Sequence, residues 1–163
     1  RRYSELMAVT AFWYANAFER AFNKEIDFGT DDIGVILTTN SYTPNQDTHE
    51  DGGDVSNEVA ESGGYLQGFD GTGELLASPT HTNTNNVRTF DSTDPSWTST
   101  GAGITARRAV YADVEPAVAA YDPLLWWTDF GQDEVASGGG TFTIVHNASG
   151  IATITAADAT GFP

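Results

Sequence analysis

The sequence predicts a mainly β protein, a single β-sandwich or partly open barrel with one N-terminal helix. Short segments rich in β-branched and aromatic residues recur between Gly-, Asn- and Thr-rich turns. Helical spacing of apolar residues is convincing only near the N-terminus. A chain of 163 residues is long enough for one domain with a full core, and no internal repeat or linker divides it.

Residues 4–24 are predicted to form the helix. Their apolar side chains follow a three-four spacing, with polar side chains opposite them. The segment carries more bulky aromatic residues than one helix face needs: Phe12, Trp13, Phe18 and Phe22. These residues either cover one end of the β core or dock on another protein chain. We therefore assign residues 1–24 to an N-terminal arm and helix and residues 25–163 to a β-domain, the two forming one domain overall.

About seven or eight short strands are predicted to follow the helix, beginning with a buried, β-branched strand at residues 33–39. The others are predicted at residues 65–69, 87–90, 96–100, 103–114, 122–131, 141–146 and 151–156. An Asn-Ala-Ser-Gly segment separates the last two, and its ends, Asn147 and Gly150, tolerate positive φ. The last two strands are therefore predicted to form a β-hairpin.

The chain is strongly acidic, because 23 Asp and Glu residues outnumber seven Lys and Arg residues and leave a formal net charge of −16. Such a protein repels phosphate backbones and anionic membrane surfaces, so neither nucleic acid nor a membrane is an expected partner. An acidic, lysine-poor surface is also typical of proteins at high salt, where electrostatic screening shortens to about 3 Å at 1 M. No segment has the pattern of a signal peptide or a membrane span.

The loop at residues 38–55 places one histidine among several carboxylates: His49 with Asp47, Glu50, Asp51 and Asp54. Zinc sites need several nitrogen or sulfur ligands, and the chain has no cysteine. Calcium loops use oxygen ligands at positions 1, 3 and 5, a glycine at 6 and a glutamate at 12. Counted from Asp47, Gly52 and Glu58 fit this pattern but His49 does not, so we predict neither a metal nor another cofactor.

Catalytic motifs are missing from the sequence. It contains no Gly-x-Ser-x-Gly nucleophile motif, and its glycine-rich segments at residues 63–68 and 137–140 lack the lysine of a phosphate-binding loop. His81 and His146 have no obvious serine or cysteine partner for nucleophilic catalysis. Acidic residues are so abundant that no pair is singled out as the carboxylates of a glycosidase. We therefore predict that the protein is not an enzyme.

Two doublets are candidates for contacts with a partner. In an alternating strand, Arg107 and Arg108 face opposite sides, so they either pair with the chain's own carboxylates or contact an acidic neighbouring subunit. The apolar run that ends in Trp126 and Trp127 needs cover on both faces, from the helix or from a neighbour. Trp97, Trp126 and Trp127 are alternatively stacking platforms for a carbohydrate.

Four segments follow one another within residues 25–151: "EIDFGTDDIGVILTTNSYTPNQDTHEDGGDVSNEV", "GGYLQG", "SWTSTGAGITARRAVYAD" and "PLLWWTDFGQDEVASGGGTFTIVHNASGI". In this order they resemble a widespread family of small structural proteins encoded among the head and tail genes of tailed viruses of bacteria and archaea. The most specific part is "SYTPNQDTHE". The resemblance implies a virion component without known catalysis, in which Tyr42, Pro44 and His49 belong to a strand-connecting or packing loop. Departures at "EDGGDV", "ARRAVY" and "PLLWWTDFG" indicate a changed surface on the same fold.

The predicted function is that of a virion structural protein, a capsid decoration (cement) protein that binds the outer surface of the head shell and stabilises it. Its expected partners are the major capsid protein, neighbouring copies of itself, or both. The candidate contact residues are Phe12, Trp13, Phe18, Phe22, Arg107, Arg108, Trp126 and Trp127. The alternatives are a tail or neck structural protein and a carbohydrate-binding module on the virion surface.

Overall fold

A computed structural model describes residues 11–69, 73–114 and 121–156. The strands are β1 (Ala11–Trp13), β2 (Ile33–Thr38), β3 (Glu74–Leu75), β4 (Thr80–Thr84), β5 (Val87–Asp91), β6 (Ser96–Thr98), β7 (Ile104–Asp113), β8 (Leu124–Ala136), β9 (Thr141–Thr143) and β10 (Ala152–Thr155). Helix α1 spans Asn16–Phe22, and a 3-10 turn spans Gly52–Asp54. The predicted fold class, mainly β with one helix, is confirmed.

The strands form three antiparallel sheets. The main sheet has the order β1-β8-β7-β2-β3, the side sheet has the order β10-β5-β4, and β6 pairs with β9 in a small sheet. Residues of the side and small sheets, including Phe90 and Phe142, join the core cluster that also contains Tyr111 and Trp126 of the main sheet. Sheets therefore pack against sheets around this core, which is consistent with the predicted sandwich.

The main sheet is buried on both faces. Every residue of β2 is buried, and one face of the sheet packs against the side and small sheets. A second apolar cluster covers the opposite face: Tyr14, Ile36, Tyr42, Phe69, Val110, Ala112 and Leu124. Tyr42 and Phe69 of this cluster come from segments outside the strands, at residues 39–58 and 65–69. The sequence predicts a strand at residues 65–69, but the structure has none there. Phe69 of this segment instead covers this face of the main sheet.

A β-bulge in β8 places its apolar residues on both faces. Tyr111 pairs with Trp126 and Ala112 pairs with Leu124, so Leu125 is an extra residue in β8. As a result, Leu125 and Trp126 contribute to the core between the sheets, whereas Leu124 packs in the second cluster. The ring of Trp126 is fully buried within the chain. The prediction that it contacts a partner is corrected here, because the ring lies inside the core between the sheets.

The N-terminal helix is shorter than predicted. The described part of the predicted helix begins with strand β1, which pairs with β8 so that Phe12 lies opposite Trp127 and Trp13 opposite Trp126. Pairing with β8 directs Phe12 and Trp13 to opposite faces of the main sheet, which a helix face would not do. Residues 1–10 lie outside the described residues. Because β1 is a strand of the main sheet, residues 11–22 are integrated into the β-domain.

The C-terminal hairpin predicted at residues 141–156 does not form. β9 pairs with β6, whereas β10 pairs with β5 in a different sheet. The Asn-Ala-Ser-Gly turn itself is present, with the Gly150 amide donating to the Asn147 carbonyl at 2.8 Å. Gly150 has φ +105°, and a Cβ atom there would clash with the Thr89 side chain. The turn therefore carries the chain between sheets instead of reversing it within one.

Candidate functional site

The loop at residues 39–58, here called the anchored loop, is bonded to the body of the protein along its length. The Gln46 side chain donates to the Trp13 carbonyl at 2.6 Å, and the Ala15 amide donates to the Gln46 carbonyl at 2.9 Å. Further along, the Leu124 amide donates to the Glu50 carbonyl at 2.9 Å. The loop is thus tied to β1 and to the start of β8, and it covers the second face of the main sheet.

Hydrogen bonds among three side chains hold the middle of the anchored loop in place. The Tyr42 hydroxyl lies 2.8 Å from the Tyr14 hydroxyl and 2.9 Å from His49 Nδ1. The Asn45 amide also donates to His49 Nδ1, at 3.4 Å. With Nδ1 accepting, Tyr42 donates to His49 and Tyr14 donates to Tyr42. Burial raises the pKa of both tyrosines, which keeps both hydroxyls protonated.

The predicted packing residues of this loop occupy different depths. Tyr42 is buried, whereas Pro44 and His49 are half-buried. The His49 ring lies against Tyr42 with a centroid separation of 5.6 Å. The structure therefore places Tyr42 and His49 together in one hydrogen-bonded cluster.

Three carboxylates of the loop, those of Asp51, Asp54 and Glu58, are bonded to protein groups. Asp51 accepts from Arg20 at 2.7 Å, although burial outweighs this ion pair and raises the pKa of Asp51. Asp54 accepts from the Glu50 and Asp51 amides, and these bonds lower its pKa. Glu58 accepts from the Tyr65 hydroxyl at 2.7 Å. Within the described residues, no three His, Asp or Glu side chains are grouped so that they could hold a metal ion.

The arginine doublet binds a single carboxylate. Arg107 Nε lies 2.6 Å from one oxygen of Asp129, and Arg108 Nε lies 3.0 Å from the other. Both arginines reach Asp129 because the pairing of β7 with β8 shifts between Ala106 and Arg108. The expectation that they face opposite sides fails for this reason. Burial alone would raise the pKa of Asp129, but the Gly131 amide and the two guanidinium groups outweigh it and lower the pKa.

The predicted partner-contact aromatics separate into two groups. Phe12 is 46% exposed and stacks on Trp127 with a centroid separation of 5.4 Å; we call this pair the aromatic edge. On the opposite face, Trp13 packs between Phe18 and Trp126 at 5.2 and 5.1 Å. Phe22, at the end of α1, is 86% exposed. Among the predicted contact aromatics, Phe12 and Phe22 are therefore the exposed ones, whereas Trp13, Phe18 and Trp127 are half-buried.

The proposed carbohydrate platforms are mostly inaccessible. Trp97 and Trp126 are buried in the core between the sheets. Trp127 is half-buried, with Tyr14 packed against it at a centroid separation of 4.7 Å and Phe12 stacked on it. A flat sugar would therefore find only part of one tryptophan ring among these three residues.

Sequence reasoning missed a buried polar cluster around His146. The His146 amide donates to Asp94 at 2.9 Å, and its Nε2 lies 3.3 Å from the Tyr111 hydroxyl. Burial lowers the pKa of His146, with Asp94 acting in the opposite direction. Asp94 is 52 residues from His146, so no local motif could reveal the pair. Tyr111 and His146 are buried whereas the Asp94 side chain is 42% exposed, so the cluster connects the core to the loop at residue 94.

Trp13 also bridges the main and side sheets. Its indole N–H donates to the Thr153 carbonyl of β10 at 3.3 Å. Beside it, an apolar cleft with a cavity volume of about 60 Å³ is lined by Trp13, Phe28, Phe90 and Ile154, with Arg88 at its polar side. This volume holds no more than one small apolar group.

Comparison with known proteins returns no match: no protein family, curated protein or solved structure corresponds to this chain. No helix among the described residues is long and apolar enough to cross a membrane. The assignment of a function therefore depends on the chain's own residues and their geometry.

Proposed function

We propose that the protein is a structural component of a virion, a capsid decoration protein that binds the outer surface of the head shell. The observation that carries the proposal is the way the segment "SYTPNQDTHE" is held in place. This is the segment in which the resemblance to viral structural proteins is most specific. Its residues Tyr42, Gln46 and His49 bond to the N-terminal segment and to one another. These contacts hold the anchored loop against the β-domain. Such a structural role supports the proposal of a non-catalytic component.

The aromatic edge and Phe22 are the surfaces through which we propose that the protein binds its partner. Exposed aromatic residues are enriched at the centre of protein interfaces. The expected partner is the major capsid protein, a neighbouring copy of this chain, or both. On a shell each contact is repeated many times, so a modest interface is sufficient.

The arginine doublet is a weaker candidate for this interface. Both guanidinium groups are engaged by Asp129, and Arg108 Nη1 also donates to the Tyr42 carbonyl at 2.7 Å. A partner would have to compete with these internal bonds. We therefore propose that Arg107 and Arg108 support the anchored loop and the sheet.

A tail or neck structural protein is the second candidate, because the resemblance covers genes for both heads and tails. The carbohydrate-binding alternative has less support, since Trp97 and Trp126 are buried.

The decisive experiment is immunogold labelling of purified virus particles with antibodies raised against this chain, combined with a copy count by quantitative mass spectrometry. A decoration protein gives label over the head and a copy number comparable with that of the capsid subunits. Label confined to the tail with few copies supports the second candidate. If the protein is missing from purified particles, the virion proposal is rejected.

A further inference from the structure

Strand β4 leaves one edge of the side sheet open. Its residues Thr80–Thr84 pair with β5 residue by residue, without a bulge, and all five side chains are exposed. In the part of the chain that the structure describes, no strand pairs with the other edge of β4. Unpaired backbone groups along a regular edge are a template for pairing with another chain.

The other sheet edges are shorter or covered. β1 and β3 have three and two residues, and the Trp13 indole occupies the Thr153 carbonyl on the edge strand β10. Proteins commonly protect open edges with charged residues, proline or bulges. β4 contains none of these protections, because its sequence is Thr-His-Thr-Asn-Thr.

β4 and the residues next to it in the sequence carry no formal charge. Residues 75–87 contain no Asp, Glu, Lys or Arg, although the chain carries 23 acidic residues and a net charge of −16. Two copies of such an acidic protein repel each other over most of their surfaces. Charged residues do lie beside β4 on β5, with Arg88 opposite Asn83 and Asp91 opposite Thr80, but the side chains of β4 itself add no like charges where two copies of it would meet.

The hairpin geometry shows which backbone groups face outward. Asn85 and Asn86 form a two-residue turn with φ of 50° and 62°, so Thr84 and Val87 beside the turn form a hydrogen-bonded pair. Hydrogen-bonded pairs alternate along an antiparallel ladder, so Thr82 also directs its backbone groups to β5. The N–H and C=O groups of His81 and Asn83 therefore point to the open edge.

We propose that β4 pairs in antiparallel fashion with β4 of a second copy of this chain, about a twofold axis at Thr82. His81 then lies opposite Asn83 of the partner subunit, and each such pair exchanges two N–H···O bonds. Thr82 faces its counterpart in the non-hydrogen-bonded position, where side chains approach most closely and threonine pairs are favourable. The contact joins two three-stranded side sheets into one sheet of six strands.

This contact lies on a different surface from the aromatic edge and does not depend on a virion location. A five-residue edge is smaller than a standard interface of about 800 Å² per partner. The dimer is therefore weak for the isolated protein and strengthens wherever copies are held side by side. Screening of the net charge at high salt also strengthens it.

Sedimentation velocity over a concentration series, at low salt and at about 1 M salt, tests the proposal. The native chain should form a reversible dimer that tightens with salt. Asn83→Pro removes an outward-facing N–H while leaving the bonds to β5, and it should weaken the dimer about tenfold or more. Thr82→Lys should weaken it similarly, because two lysines meet on the twofold axis, even though each copy becomes less negative.

Thr153→Lys is the matched control, since it makes the same exchange on the same face of the side sheet, at β10. It should leave the dissociation constant within about twofold of the native value. Circular dichroism and thermal melting of all three variants exclude unfolding as the cause. A chain that stays monomeric at millimolar concentration in both salts overturns the proposal. A dimer that survives both β4 variants, or that Thr153→Lys weakens equally, overturns it as well.

Discussion

Arg108 on the central strand β7 donates to the carbonyl oxygen of Tyr42 at 2.7 Å. The bond connects the middle of the main sheet to the anchored loop through the loop's backbone. A second connection runs through the Tyr42 hydroxyl, which bonds to Tyr14 and His49. Backbone and side chain of one loop residue are thus held by separate parts of the protein, and substitutions can test each connection independently.

Tyr42→Phe removes the hydroxyl that links Tyr14 to His49 and leaves the Arg108 bond in place. The buried Tyr14 hydroxyl then loses its acceptor, so the free energy of unfolding should fall by about 1–3 kcal/mol. Urea denaturation followed by fluorescence measures the loss. Tyr121→Phe is the control and should be nearly neutral, because Tyr121 is 64% exposed. Equal stability of native protein and Tyr42→Phe would show that the hydrogen bonds linking Tyr14, Tyr42 and His49 contribute nothing to the free energy of unfolding.

Asp129→Asn should destabilise the protein in a pH-dependent way. The pKa of Asp129 is lower in the folded state, so the unfolded state binds its proton more readily. The stabilisation is therefore present above the unfolded pKa of about 3.9 and is lost as the pH falls through the folded pKa. At neutral pH we expect a loss of about 1–3 kcal/mol.

Denaturation of native protein and Asp129→Asn at several pH values measures this difference. The two curves should converge in acid, below about pH 4. Asp133→Asn, at an exposed position of the same strand, serves as the control and should change stability little at any pH. A constant difference from neutral pH into acid would contradict the role of the Asp129 charge.

Trp126→Ala and Phe22→Ser should differ in their effect on stability, because Trp126 lies in the core and Phe22 lies on the surface. The Trp126 ring is fully buried, so its removal should cost about 3–5 kcal/mol of unfolding free energy. Phe22 is 86% exposed, so Phe22→Ser should change stability by no more than about 0.5 kcal/mol. If Phe22 contacts the shell, the same variant should bind purified shells more weakly in co-sedimentation.

Val135→Ser is the matched control for that binding measurement, because Val135 is an exposed apolar residue outside the proposed interface. It should co-sediment like the native chain. If Phe22→Ser and Phe12→Ser both bind purified shells as well as the native chain does, these aromatic residues are not part of the interface.

Thermal stability should depend on salt because of the net charge of −16. Raising KCl from low concentration to about 2 M screens the mutual repulsion of the carboxylates, so Tm should rise steeply. Differential scanning calorimetry gives the Tm, and NaCl is the matched salt that separates screening from a potassium effect. A Tm that stays flat across the range would remove the high-salt interpretation of the composition.

Divalent cations should not bind tightly to the anchored loop. Asp51 and Glu58, which fall at calcium-ligand positions, are already acceptors for Arg20 and Tyr65, and a cation would have to displace these donors. Titration calorimetry with calcium and with zinc should therefore show no binding in the micromolar range. Micromolar binding that Asp47→Ala abolishes would overturn this expectation.

The fold class was predictable because turn-forming residues and β-branched segments are local signals. Strands β2, β5, β6, β7 and β10 therefore fall within two residues of their predicted bounds, whereas β8 runs five residues past its predicted end. The length of the helix was not predictable, because pairing of Phe12 and Trp13 with β8 overrides a helical spacing that the same residues satisfy. The partners of β9 and β10 also depend on distant strands, so a local turn signal could not identify them.

The sequence predicted some residues of the candidate site but not all of them. The sequence identified Tyr42 and His49 but not Tyr14, which lies in another segment and carries no local signal. It identified Arg107 and Arg108, but the alternation rule gave the wrong orientation because the shift in pairing with β8 is invisible in β7 itself. Burial of Trp126 followed from an extra residue, Leu125, that only the strand pairing shows.

The position of β1 at the edge of β8 has a consequence for folding during synthesis. β1 is synthesised long before its pairing partner β8, and the Trp13 indole bonds to a residue 140 positions later in the chain. Contacts between such distant segments close late and slow the folding of β proteins. Phe12 and Trp13 therefore remain without their native cover until β8 has been made, and nascent chains that stall before β8 are the ones most prone to aggregate.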